Sequence, residues 1–438
     1  MSKEDEKKLE AMLVAYETTY PAAGKNFRTM IGETPSLKTN LLDAIAKGNL
    51  EKLGPMPAGS PAGAMGTYSA NDKAIFLPET LLAKTDKDPV LANTMRMIMT
   101  HESEHAINKQ AMEKSHKDFI TSLEAVAKGP APHDYTAALK AKGDADRLRE
   151  ATDQVGGFNA VAAHVRKQNP TATPAQLNAK LFASSPEMEP YFDVGGKAPN
   201  LTYTPKAGLT LDKEGQLART PANIEAMGKH FYDARPYQQI YGVNGLKVAL
   251  AVEGMQQAKD AAADPKYVAP EVRFNLKELG LDKVGIVFGP GIKDTSPTVA
   301  PSTAPSKPVE GSHYLEMPRP APETPLQKQA GAALDGLGAQ GIADPVQRQA
   351  AAAAIAVKAQ ADGLERIDSI VASRDGKGLI AVQGDPTTDH AKTSYIDRNQ
   401  AAQQPLEQSQ KALHDCAHGH SHAPTAEPEK PQATAPSR

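Results

Sequence analysis

Tryptophan is absent, cysteine occurs once, and aromatic residues fill only 5% of the 438 positions. The single Cys416 excludes an intramolecular disulfide framework. With so few rings, any core must be aliphatic and alanine-rich, and 40% hydrophobic residues suffice to build one. Neither sign of charge dominates. A formal net charge of −3 gives no electrostatic case for nucleic acid or an anionic membrane as partner. No uninterrupted apolar run is long enough to span a bilayer. The opening Met1-Ser2-Lys3-Glu4-Asp5-Glu6-Lys7-Lys8 leads into an amphipathic helix rather than an apolar leader core. The expectation is a protein that, if it leaves the cell, does so without a cleaved leader.

What is present is a His-Glu-x-x-His run, His101-Glu102-Ser103-Glu104-His105, inside a stretch with helical periodicity. Asp88-Pro89 supplies an N-cap and a proline at the first helical position. Leu91, Met95, Ile98, His101 or Glu102, and His105 then recur at helical spacing, so the histidines continue an apolar stripe. Residues four apart share one helix face about 6 Å apart along the axis. His101 and His105 can thus offer two imidazoles to one ion, and Glu102 can take a proton from a water bound to it. The bland alternative is a pair of structural histidines. A buried imidazole without a partner is costly, which favours ligation of Zn²⁺.

Two histidines leave a tetrahedral zinc short of one protein ligand and a water. The metzincin extension would need glycine and histidine where Asn108 and Ala111 stand, which excludes that class. A long helix from about Tyr135 to Lys167 carries Glu150 as the candidate third ligand, with Asp153 one turn on to orient a histidine. This resembles the gluzincin arrangement, although there the two acidic residues stand four apart rather than three. Asn159 is the alternative orienting residue, and Asp146 and His164 are the reserve ligands. Glu150 could instead pair at the surface with Arg147 or Arg149.

Elsewhere in the N-terminal part, helices are expected over residues 3–20, 36–47 and 245–262, with a loop from Gly54 to Gly66. Thr67 to Leu77 suggests a hairpin. Within it, Ile75 to Leu77 is either an ordinary core strand or the edge strand on which zinc peptidases pair extended substrate. His230-Phe231-Tyr232-Asp233-Ala234-Arg235-Pro236-Tyr237 offers Tyr232 or His230 as a donor to a developing oxyanion. Packing of Phe231, Tyr232 and Tyr237 is the simpler reading. From residue 291 to 311, prolines interleaved with Ser, Thr and Ala read as a linker, after which a smaller unit follows.

That unit, residues 312–413, carries three ordered motifs: Gly363-Leu364-Glu365-Arg366-Ile367-Asp368-Ser369-Ile370, then Ile380-Ala381-Val382-Gln383-Gly384 with Asp389-His390-Ala391 and Tyr395-Ile396-Asp397, then Pro405-Leu406-Glu407-Gln408-Ser409. They resemble the XVIPCD secretion domain of xanthomonad type IV secretion effectors, with Ser369, Ile380 and His390 departing from its usual His, Phe and Pro. The resemblance implies docking on the coupling ATPase of the secretion machine and delivery into rival bacteria, with the periplasm as the expected place of action. It also implies a cognate immunity protein in the producer. The tail from 414 to 438 is expected to be disordered, and its His414-Asp415-Cys416-Ala417-His418-Gly419-His420-Ser421-His422 run to offer adventitious affinity for a soft metal ion at most.

Together these readings define an α+β protein. Residues 1–290 are expected to be a mostly helical, zincin-like metallopeptidase domain with a small edge sheet. His101, His105 and Glu150 would hold zinc, Glu102 would act as general base, Asp153 would orient a ligand, and Tyr232 would stabilise the transition state. The substrate would be a peptide, a protein or the peptide of peptidoglycan. The alternatives are a non-catalytic binding toxin whose zinc is closed by a fourth protein ligand, and a zinc hydrolase acting on a non-peptide envelope substrate.

Overall fold

In a computed structural model, the described residues are 2–57, 60, 65–297, 313–317, 324–338, 341–342, 344–373, 376–384, 391–404, 406, 408–409 and 412–413. The Pro-rich segment 298–311, the Asp389-His390 part of the second motif, Pro405, Glu407 and the tail from His414 lie outside the described residues. The protein is α+β, mostly helical with small sheets. No helix among the described residues is long and apolar enough to cross a membrane. The chain divides into two compact units, Met1–Pro318 and Arg319–Arg438.

The first unit opens with α1 (Lys3–Thr19), α2 (Pro21–Glu33) and α3 (Pro35–Ala46). Proline starts both α2 and α3, at a position whose N–H has no intrahelical partner to lose. Leu9, Leu13, Phe27, Leu37 and Leu41 turn inward and form one core. Beside them lie β1 (Lys52–Pro55), β2 (Thr67–Ser69) and β3 (Ala74–Leu77), in the order β1-β3-β2. The β2–β3 hairpin lies where the sequence pattern puts it. Ile75 to Leu77, however, do not form an edge: β3 is central, with Ile75 opposite Leu53 on one side and Tyr68 on the other. The strand β1, which runs into the Pro- and Gly-rich segment read as loop, takes the far edge, and β2 is the edge beside the histidines.

After α4 (Glu79–Leu82) comes α5 (Pro89–Ile107), the central helix of the unit. Its cap is as its sequence predicts: the Asp88 carboxylate accepts the Leu91 N–H at 2.9 Å. Met95 and Met99 face the core of α1–α3, while Met97 faces a second core. That second core is built on Val155, Phe158 and Val161 of α7 (Thr136–Gln168) and on Leu177 and Leu181 of α8 (Pro174–Phe182). α6 (Lys109–Ala127) joins α5 to α7. Sandwiched this way, α5 buries nearly every residue from Asn93 to Ala106, polar ones included.

The rest of the unit comprises β4 (His133–Asp134), the exposed hairpin β5 (Phe192–Lys197) and β6 (Asn200–Pro205), α9 (Pro221–Met227) and α10 (Tyr237–Ala263). One π-helical turn, Gly228–Tyr232, follows α9. β7 (Val272–Phe274), β8 (Ile286–Phe288), β9 (Ile292–Asp294) and β10 (His313–Leu315) complete it. β4, β7 and β9 form a parallel sheet, and β8 pairs with β10. The expected domain edge at residue 290 therefore moves: Ile292 pairs with Val272, and backbone pairing carries the first unit past the Pro-rich stretch.

In the second unit, α11 (Pro325–Asp335) and α12 (Pro345–Ala361) pack against the antiparallel sheet β11 (Ser369–Ala372), β12 (Gly378–Gln383) and β13 (Lys392–Asp397), followed by α13 (Arg398–Gln403). Leu334, Ile355, Leu364, Ile367, Leu379 and Ile396 make its core. Two of the sequence motifs interlock here. The Asp368 carboxylate accepts the Gly384 N–H at 2.7 Å, and Gln383 Oε1 accepts the Glu365 N–H at 2.8 Å. Gly363, at φ +79°, ends α12 in a conformation that suits glycine.

Candidate metal centre

Two helices make the centre, and two adjacent glycines make their approach possible. A Cβ on Gly157 would lie 2.7 Å from the Met97 carbonyl oxygen of α5, and one on Gly156 would lie 2.6 Å from Glu104 Oε1. At Gly157 the obstacle is backbone, so α7 runs backbone-close to α5 there, while Gly156 leaves room for the Glu104 side chain. One and two turns earlier on α7, Asp153 and Glu150 are thereby set against His105 and His101.

The His101 and His105 rings lie 4.5 Å apart at 83°. Ligand atoms of His101, Glu102 and His105 all fall within 4.8 Å of one another. From the facing helix, Glu150 Oε2 is 3.3 Å from His101 Nε2, and Glu150 Oε1 is 3.6 Å from His105 Nε2. His105 Nδ1 lies 2.7 Å from Asp153 Oδ2, although the pair is poorly aligned for a hydrogen bond. The close contact and the burial of Asp153 still fix the ring. Asp153 Oδ1 accepts from the Asn108 side chain at 2.9 Å, at the end of α5. His101 Nδ1 is buried with no hydrogen-bond partner.

The electrostatics follow from burying opposite charges together. Desolvation alone would push the Glu150 carboxyl up. The His101 contact and the nearby His105 and Arg149 charges outweigh it and hold the group far below the usual carboxylate range. Burial alone would push His105 down, yet its contact with Asp153 and the charges of Glu150 and Glu102 raise it to about 9. Both shifts favour the charged forms, a carboxylate on Glu150 and an imidazolium on His105. Two imidazoles, a buried carboxylate opposite them and an aspartate behind one ring form a nitrogen and oxygen donor set suited to zinc.

Above these residues opens a cleft of about 680 Å³. Gly66, Thr67 and Tyr68 line one side, and Met97, Ile98 and Met112 contribute apolar surface. Phe231 sits 5.8 Å from the His101 ring and carries the Arg235 guanidinium 5.1 Å above its own face. Arg235 in turn pairs with Glu187 at 2.6 Å.

Other candidates from the sequence stand elsewhere. Tyr232 does not line this cleft. It stacks behind Tyr237 and Tyr241, at 6.1 and 5.9 Å, and faces a separate pocket with Asp146 and Arg147. Tyr232 is the last residue of the π-helical turn. His230 is half-buried and bonds the Ala207 carbonyl at 3.0 Å. The Asn159 side chain is spent on the Leu217 backbone, at 2.7 and 2.8 Å. His164 contacts Gln168, and Asp146 is paired with Lys142 and Arg149, so neither reserve ligand reaches the histidines. Two residues that sequence reasoning missed as site residues do line the cleft: Tyr237, read only as packing, and Tyr241, whose hydroxyl donates to Glu150 Oε1 at 3.0 Å. Both lie on the first turns of α10, which a helix start placed at Gly245 leaves out.

Comparison with known proteins bears on the other end of the chain. Residues 319–415 match the family model described as X-Tfes, XVIPCD. The chain thus carries the C-terminal domain of a type IV secretion effector, which implies interaction with, and secretion by, a type IV secretion system. No curated protein matches the chain.

Proposed function

We propose that the first unit is a zinc-dependent peptidase and that the protein is an antibacterial effector carried by the type IV machine to rival cells. Delivery would rest on docking of the C-terminal domain to the coupling ATPase, with a cognate immunity protein guarding the producer and the periplasm of the target as the place of action. The observation that carries the peptidase reading is the position of Glu150 and Asp153 against His101 and His105, with Glu102 beside them at the floor of an open cleft.

In this reading His101, His105 and Glu150 hold the ion. When bound, zinc supplies Lewis acidity, polarising a carbonyl and lowering the pKa of a coordinated water toward about 7. Glu102 accepts the proton of the attacking water on its carboxylate and returns it to the leaving amine. Asp153 keeps the His105 ring in register through Nδ1. The edge strand β2, whose Thr67 and Tyr68 line the cleft, offers main-chain groups to an extended peptide. Tyr237 is the better-placed donor to a developing oxyanion: it lines the cleft, and its hydroxyl makes no hydrogen bond among the described residues. Burial and the Glu150 charge push its pKa up, keeping the proton it would donate.

The openness of the cleft favours catalysis over a purely structural zinc. A structural site is closed by a fourth protein ligand, and Asp146 and His164 are both engaged elsewhere. The test is expression of parent and Glu102→Gln protein in the periplasm of a susceptible bacterium. The parent is expected to arrest growth and the variant to be tolerated at equal abundance. Equal toxicity of the two would remove catalysis at this site as the toxic activity.

A further inference from the structure

The two oxygens of Glu150 have different surroundings. Oε1 receives two donors, Arg149 Nη2 at 3.1 Å and the Tyr241 hydroxyl at 3.0 Å. His105 Nε2 lies 3.6 Å from it, beyond hydrogen-bond reach. Oε2 has no such donors and turns toward His101 Nε2 at 3.3 Å. The Arg149 fork is itself anchored: its Nη1 donates to Asp146 Oδ1 at 2.8 Å, and Asp146, buried, is held by Lys142 at 2.5 Å. Lys142, Asp146 and Arg149 lie along one face of α7, at offsets of four and three, and Glu150 follows directly. Tyr241 is braced from behind by Tyr232, whose ring stacks on it at 5.9 Å and 22°.

We infer that Arg149 and Tyr241 form a two-donor clamp on Glu150 Oε1, which leaves Oε2 as the one oxygen presented to the metal. Both are positioning residues in this inference: they act on the metal through Glu150. A carboxylate free to turn can bind an ion through both oxygens, filling the position that an attacking water needs. A carboxylate pinned at one oxygen binds through the other and keeps that position open. The clamp also assigns a use to Arg149 and Tyr241 and gives Tyr232 the place of a brace. This inference rests on the peptidase reading above, since it requires metal at His101, His105 and Glu150.

The test uses full-length protein and two readouts that do not involve turnover. Zinc affinity is measured by competition with a chromophoric chelator, and coordination number by the visible d–d absorption of the Co²⁺-substituted protein. Arg149→Gln and Tyr241→Phe are each expected to weaken zinc binding by about 10–100-fold, the range found when partners of metal ligands are removed. Their cobalt spectra should lose intensity as the carboxylate turns to bind through both oxygens. Arg149→Lys should not restore the parent spectrum, because a single ammonium cannot bridge Asp146 and Glu150 as the planar fork does. Zinc affinity within twofold of the parent with an unchanged cobalt spectrum, or full rescue by Arg149→Lys, would overturn the clamp while leaving the metal site standing. A parent protein that binds no zinc would overturn the clamp together with the metal reading.

Discussion

Two places in the first unit set a histidine against a buried glutamate, and they are built to opposite ends. At the end of α6, His133 Nδ1 faces both oxygens of Glu253 at 3.0 and 2.9 Å, and its Nε2 meets the Gly129 carbonyl at 3.1 Å. Glu253 also accepts from the Tyr135 hydroxyl and, at 2.7 Å, from Gln257. Every polar atom of the pair is answered, and the cluster is closed on all sides. On α5 and α7 the same residue types leave His101 Nδ1 unanswered, set two imidazoles against one carboxylate, and open onto a cleft. Satisfied polar groups fasten the polypeptide to itself. Incompletely satisfied ones, converging on a point beside open space, are arranged for something that comes from outside.

The contrast can be broken at either end. The largest effect is expected from Glu102→Gln, which should lower peptide hydrolysis by about 10²–10⁴-fold, the usual contribution of a general base, while zinc content and the unfolding midpoint stay unchanged. Glu253→Ala should do the reverse. Leaving His133 and Tyr135 buried without their acceptor should cost about 3–5 kcal/mol in denaturant unfolding, with one zinc still bound per folded chain. If Glu253→Ala abolished zinc binding in folded protein, the two clusters would not be independent. Asp153→Asn, which frees the His105 ring, should weaken zinc by about 10–100-fold in the same chelator competition.

Gly157→Ala probes the scaffold instead of the ligands. The added methyl meets the Met97 carbonyl at 2.7 Å, so α5 and α7 must part, at a cost of about 1–3 kcal/mol in stability and some loss of zinc affinity. A variant as stable as the parent would show that the helices are not held by this contact. The smallest effect is graded with pH. In metal-free protein His105 is raised from 6.5 to about 9, so zinc must displace its proton, and apparent affinity should climb as pH rises toward about 9 and then level. Because the folded value exceeds the unfolded one, this proton stabilises the metal-free protein fully below pH 6.5. That contribution is lost as pH rises through about 9. Zinc affinity that is flat between pH 6.5 and 9 would mean that His105 either does not hold its proton to pH 9 in the metal-free protein or is not a ligand.

How much of this was legible beforehand depends on the range of the interaction. His101, Glu102 and His105 are set by spacing within one helix, which needs only the helical period. Glu150 and Asp153 were reachable because a second amphipathic helix with acidic residues on one face can be read the same way. That Gly157 brings the two helices to backbone contact was not read, since glycine in a helix has several causes and only the packing partner tells which applies. Tyr241 was missed because α10 begins at Tyr237, eight residues before the start expected at Gly245, so its first turns were not read as part of a helix facing the site. Whether Ile75 to Leu77 forms a core or an edge strand stayed open in the sequence, because strand order is a matter of long-range pairing and Lys52 to Pro55, the partner that makes it central, carries little β character of its own. In the second unit the motifs could be read, and the structure adds what they do physically: Asp368, Gln383 and Gly384 tie the strand entry to the strand exit.

The central claim is most directly tested by measuring zinc per chain and hydrolysis of an unfolded protein on the same preparations of parent and Glu102→Gln protein. The account predicts one tightly held zinc in each and turnover in the parent alone. A parent without zinc, or a variant that hydrolyses as fast as the parent, would contradict it.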